Sequence, residues 1–119
     1  MEKMYCDKER EHSVSAQRAK EGILGSDEVE KIRKIFHVLS DAGRLKILLA
    51  LMNGELCVYH LADVCGGSVS GVSHQLRVMR DNGIVKAKRF GKNVEYSIAD
   101  AHVREIVSLA IAHLHCGEV

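Results

Sequence analysis

The last twenty residues of this 119-residue chain hold the side chains best suited to chemistry: Asp100, His102, His113, His115 and Cys116. Carboxylate, imidazole and thiolate together are ligands for a borderline-soft divalent cation. Their spacing limits how they can act. His102 and His113 are 11 residues apart, close to a whole number of helical turns, so they share a face yet stand ~16 Å apart along it. One helix cannot close on a single ion with both. Two copies packed antiparallel about a two-fold axis can, each site taking Asp100 and His102 from one chain and His113 and Cys116 from the other. Cys116 follows His113 by three residues and joins it, whereas His115 points to the other side. The set suits Zn(II), with Cd(II) or Co(II) as alternatives. Without a partner, the same residues are a polar helix end carrying surface histidines.

Other chemistries find less support. The chain has no HExxH and no nucleophile constellation, and four protein ligands would leave no open metal position. We expect no enzyme and no small-molecule substrate. The four cysteines, Cys6, Cys57, Cys65 and Cys116, form no CxxC, so zinc-ribbon and thioredoxin readings fail. The charged N-terminal stretch has no apolar block of a secretory signal, and no apolar run approaches the ~18 residues of a membrane span. The expected setting is the cytoplasm, with reduced thiols and no membrane.

The elements that must position these residues follow from periodicity. Residues 1–26 read as a mobile arm with a helical turn, and residues 27–119 as one domain. Ser26 or Asp27 offers a cap for a helix over 27–40, with Val29, Ile32, Ile35, Phe36 and Leu39 at helical spacing. A second helix over 42–53 shows Leu45, Leu48, Leu49 and Met52 as its buried face and Gly54 as its stop. A short helix over 58–64 ends at Cys65-Gly66-Gly67. Ser68 or Ser70 caps another helix, which runs to Arg80, stops at Asn82-Gly83 and has Val69, Val72, Leu76 and Met79 inward. The period then changes to two: 84–90 and 93–98 form a hairpin about Gly91-Lys92. Asp100 caps a last helix, about 101–116, whose apolar set (Val103, Ile106, Val107, Leu109, Ala110, Ile111, Leu114) is too broad for one stripe. Its second side is expected to face another subunit.

Two helices about a Gly-containing turn, followed by a hairpin, make a winged helix-turn-helix: mainly α with a β-hairpin wing. The polar face of the second helix carries Ser70, Ser73, His74, Gln75, Arg77 and Arg80, which suit the phosphates and base edges of double-stranded operator DNA. Gln75 would address adenine; Lys88, Arg89 and Lys92 cluster at the wing tip. The formal charge of +1 conceals this. From Ser68 to Lys92 there are six basic residues and one acidic, a local +5, which leaves −4 on the rest. A basic reader on an acidic body is the footprint phosphate binding requires.

The sequence resembles the ArsR/SmtB family of metal-sensing repressors. The stretches that carry the resemblance are 39–48 (Leu39-Ser40-Asp41-Ala42-Gly43-Arg44-Leu45-Lys46-Ile47-Leu48), Glu55-Leu56-Cys57-Val58, Val72-Ser73-His74-Gln75-Leu76-Arg77, the wing 91–98 and Asp100-Ala101-His102. The resemblance as a whole covers about 29–116. The resemblance implies a winged-helix homodimer through the first and last helices. It also implies a repressor that holds a palindromic operator when metal-free and leaves it on binding metal. The family's interfacial zinc site uses an Asp-x-His pair and a later His-x-x-His or His-x-x-Glu pair; here Cys116 takes the last place. Ala42-Gly43 departs from the family's usual proline-containing turn. Cys57 falls on the family's thiolate position, and His60, three residues on, with Cys6 and His12 from the arm of the other subunit, would complete a second site. The cadmium- and lead-sensing members have a further cysteine where this chain has Tyr59. Cys65 is expected to be structural, and His37 to pack in or beside the first helix. The alternative is a repressor of the same fold that senses oxidants or sulfur species through its thiols.

Overall fold

Ile47, Leu48, Leu51, Leu61, Leu76, Met79 and Ile84 are almost wholly buried and mark where the helices converge. The computed structural model describes residues 6–117. It contains α1 (Glu9–Gly22), α2 (Ser26–Leu39), α3 (Ala42–Leu51), β1 (Leu56–Cys57), α4 (Val58–Cys65), α5 (Val69–Asp81), β2 (Val85–Phe90), β3 (Asn93–Ile98) and α6 (Ala101–Leu114). Two compact units divide at residue 32: 1–32 with α1, and 33–119 with α3 to α6 and the sheet, while α2 contributes to both.

In the first unit the arm holds a 14-residue helix where the sequence suggests a mobile segment with one turn. It has no buried residue and no apolar stripe to betray it. Local pairs support it instead. Ser13 Oγ donates to Glu9 and Gln17 Nε2 to Glu21, both four residues away, and Glu9 and Glu11 sit in the first turn, where a helix favours acidic groups. The helix α2 begins at Ser26, and the Gly25 carbonyl accepts the Val29 N–H at 3.0 Å.

In the second unit α3 starts as the sequence directs. Asp41 is its N-cap and accepts the Arg44 N–H at 3.0 Å. Ala42 is then the first helical residue, the position where proline is also well placed, so the departure from the family turn leaves the helix start intact. The buried face differs from expectation: Ile47, Leu48 and Leu51 turn inward, whereas Leu45 and Leu49 are exposed. The helix closes at Leu51, earlier than Asn53.

Gly66 adopts φ +72° and ends α4 in the left-handed cap that glycine favours. Ser68 caps α5, its Oγ accepting the Gly71 N–H at 3.0 Å. Val72, Leu76 and Met79 are buried, but Val69 is exposed. The wing strands pair antiparallel from Val85↔Ile98 to Phe90↔Asn93 about a two-residue turn in which Gly91 has φ +58°. A two-residue strand, β1, adds to the other edge of β3 through Leu56↔Tyr96 and Cys57↔Glu95, giving the order β1-β3-β2. Asp100 caps α6 by accepting the Val103 N–H at 3.0 Å. On α6 only Val103 and Val107 are buried, so the second apolar side lies bare in the single chain. His37 is exposed on α2 rather than packed. Among the described residues no helix is long and apolar enough to cross a membrane.

Candidate functional site

The α6 donors are held by the helix itself. Asp100 stands at the N-terminus in extended backbone, and its Oδ1 lies 3.8 Å from His102 Nδ1. The His102 side chain is 90% exposed and that of Asp100 54%, so both present themselves to whatever covers this end. At the other end His113 lies in the last turn, His115 is the C-cap, and the Cys116 N–H donates to the His113 carbonyl at 3.0 Å. Asp100 and His102 are thus brought together, as are His113 and Cys116 in sequence and chain geometry. The two pairs remain at opposite ends. Among the described residues no three histidine, cysteine or acidic side chains converge on one point. One chain offers two exposed half-sites, a hard carboxylate with a borderline imidazole and a borderline imidazole with a soft thiolate, a set whose chemistry fits Zn(II) if a partner supplies the other half.

The residues of the second candidate set pair off within their own units. Cys6 Sγ lies 2.8 Å from His12 Nδ1, and Cys57 Sγ lies 3.1 Å from His60 Nδ1. Cys57 belongs to β1 and is also the N-cap of α4, so His60 meets it one turn on. Each pair is a two-donor sulfur–nitrogen grip. The four cysteines are free thiols. Cys65 is set apart: burial pushes its thiol up, the nearby Lys46 ammonium only partly opposing this, which suits a packed thiol rather than a ligand.

The candidate surface for nucleic acid comprises α5 and one face of the wing. Ser70, Ser73, His74, Arg77 and Arg80 are exposed along α5. Gln75 is not among them. It is half-buried, and its Oε1 accepts from Arg44 Nη1 at 3.1 Å. Ser73, Arg77, Arg80 and Tyr96 line a cleft of about 300 Å³ between α5 and β3. Tyr96 went unnoticed in the sequence because aromatic residues are ordinary in strands; its alternation with the buried Ile98 was the available signal.

The wing cations do not form one cluster. Residues opposed in the ladder share a face, so Arg89 with Val94 lies on the face of Ala87 and Tyr96, and Lys88 with Glu95 on the other. Lys88 Nζ sits 5.0 Å from the centroid of the Phe90 ring, and a hollow of about 520 Å³ on that outer face is lined by Lys86, Lys88, Glu55 and Glu95. Carboxylates therefore accompany Lys86 and Lys88, while Arg89 shares its face with the cleft tyrosine and Lys92 occupies the turn.

A fourth feature is apolar. Phe36, Leu39, Leu45, Leu49, Ile106, Val107, Ala110, Ile111 and Leu114 line an open groove of about 410 Å³ whose wall is almost free of polar surface. It accounts for the outward turn of Leu45 and Leu49.

Comparison with known proteins fits this arrangement. The family profile described as "Bacterial regulatory protein, arsR family" matches residues 41–87, from the α3 cap into β2. The chain is 37% identical over 109 residues to a transcriptional repressor SmtB homolog of Synechocystis sp., the match covering 92% of this chain and 83% of the relative. It is 36% identical over 114 residues to a cadmium resistance transcriptional regulatory protein CadC homolog of Staphylococcus aureus, covering 95% and 93% of the two. Among solved structures, the AntR antimony-specific transcriptional repressor superposes with a TM-score of 0.71 at 34% identity, over 78% of this chain and 85% of that one. With its winged helix-turn-helix, its exposed α5 face and relatives of this similarity over nearly its whole length, the chain belongs to the ArsR/SmtB family of transcriptional regulators, and it is not an enzyme.

Proposed function

We propose that the chain is a cytoplasmic, metal-responsive repressor that works as a homodimer through α2 and α6, binds palindromic operator DNA without metal, and releases it when Zn(II) or a similar divalent ion is bound. The observation that carries this reading is the layout of α6: an apolar side left bare along the helix, with Asp100 and His102 at one end and His113 and Cys116 at the other. An antiparallel partner covering that side sets one chain's first pair beside the other chain's second pair. Bound there, a divalent ion supplies a Lewis-acidic centre that links donors of the two chains. Asp100 and His102 of one chain would supply one pair of donors, and His113 and Cys116 of the other would complete the set. Because Asp100 caps the helix that follows the wing, a shift of this end would reach β3 and, through its partner strand β2, the end of α5. The direction of the response is the one that the family resemblance implies. For the DNA surface we propose Ser70, Ser73, His74, Arg77 and Arg80 on α5, with Arg89 and Lys92 of the wing. Lys88 is the weakest of the wing contacts because Glu95 faces it across the ladder.

The Cys57–His60 and Cys6–His12 pairs favour a second reading, in which thiols bind a softer ion such as Cd(II) or respond to oxidants. Titration with Co(II), followed by absorbance, separates the two. We expect a thiolate charge-transfer band that survives in Cys57→Ser and disappears in Cys116→Ser. The reverse pattern would move the occupied site to Cys57, and loss of operator binding on oxidation without metal would favour the thiol mechanism.

A further inference from the structure

We infer that Gln75 is a positioning residue of the reader helix rather than a base reader, and that Arg44 is the pivot that holds it; the inference rests on the DNA-binding reading of α5. At about 100° per residue, Gln75 lies nearly opposite Ser73 and Arg77 around the axis of α5, and about 40° to one side of the inward direction of Met79. Reading adenine takes both amide atoms of a glutamine, the oxygen as acceptor and the nitrogen as donor. Here Oε1 already accepts from the Arg44 guanidinium at 3.1 Å. A hydrogen bond from a charged donor is stronger than a neutral one, and giving it up leaves part-buried groups unpaired.

The same guanidinium makes a second bond, Nε donating to the Val38 carbonyl at 2.6 Å. Val38 lies in the last turn of α2, where carbonyls lack partners within the helix and a cation is favoured. The Arg44 N–H is in turn fixed by Asp41. One residue in the first turn of α3 therefore joins the end of α2 to the middle of α5. Val72, Leu76 and Met79 press α5 onto the core and decide which face turns inward, but apolar contact has no preferred angle and leaves small rotations of the helix about its axis open. The Arg44 fork is directional. It sets the rotation at which Ser73, Arg77 and Arg80 face outward, and it carries any displacement of the end of α2 to the reader.

The test has two readouts on the full chain. Hydrogen exchange without DNA reads the clamp: amides of α5 should exchange faster in Gln75→Ala and in Arg44→Ala, and unchanged exchange overturns it. Selection from a pool of randomised duplexes reads the role. Wild type and Gln75→Ala should enrich the same motif, with affinity for the selected duplex about tenfold lower in the variant. The double variant should bind less than twofold more weakly than Arg44→Ala alone. A motif that becomes degenerate at one base pair in Gln75→Ala, an unchanged affinity, or losses that multiply would each overturn the inference. Should Arg44→Ala not fold, Arg44→Lys keeps the charge without the fork and takes its place. A wild-type chain that enriches no motif overturns the DNA reading, while exchange still decides on the clamp.

Discussion

Leu49→Glu is expected to yield a folded monomer that has lost most of its operator affinity. Leu49 is exposed on α3 and lines the apolar groove, while its neighbours Ile47, Leu48 and Leu51 form the buried face of the same helix. A carboxylate there enters solvent in the single chain, so helix content by circular dichroism should be unchanged. In a dimer it would be buried against Phe36, Leu114 and their like with nothing to pair it, a cost of several kcal/mol. Light scattering on a sizing column should therefore show half the wild-type mass. A dimer reads two half-sites and gains from linking them, so affinity for a palindromic duplex should fall roughly 10²–10⁴-fold. A Leu49→Glu chain that remains dimeric would show that the groove is not the interface.

The second large effect concerns release. His102→Ala and His113→Ala should each bind the operator as tightly as wild type without metal and fail to let go when Zn(II) is added. The two histidines lie at opposite ends of α6, yet either change removes a ligand from both symmetric sites of the proposed dimer. Coupling between an effector and DNA in such regulators is about 1–3 kcal/mol, a 5–150-fold change in affinity, and all of it should vanish in either variant. His115→Ala, by contrast, should keep the response. Fluorescence anisotropy of a labelled duplex measures all three. A His102→Ala chain that still releases DNA with Zn(II) would place the sensing site elsewhere.

The reader and wing were legible because each carries its own punctuation. Ser68 caps α5, Val72, Leu76 and Met79 mark its inner face, Gly91 turns the hairpin and Asp100 opens α6. The face of α3 was not. Leu45, Ile47, Leu48, Leu49 and Leu51 spread over roughly 200° of that helix, wider than one stripe, so periodicity alone could not say which part meets the core and which the groove. The strand β1 is two residues long and exists only because β3 offers an edge, and α1 rests on local pairs with no apolar stripe.

The site shows the same division. Spacing placed the α6 donors at the two ends of one helix. It could not find Arg44 against Gln75, a contact made across 31 residues by tertiary packing. The two faces of the wing were hidden for a different reason. Counting charge along the chain joined Lys88 to Arg89, although adjacent strand residues point to opposite faces, and the ladder sets Lys88 against Glu95.

Metal-dependent release of DNA by the intact protein is the central claim, and one measurement meets it directly. Wild-type chain is titrated into a labelled duplex carrying its selected palindrome, once with a chelator and once with Zn(II) in excess over the dimer. Tight binding with chelator and at least fivefold weaker binding with Zn(II) is the expected result. Equal affinity under the two conditions would contradict it.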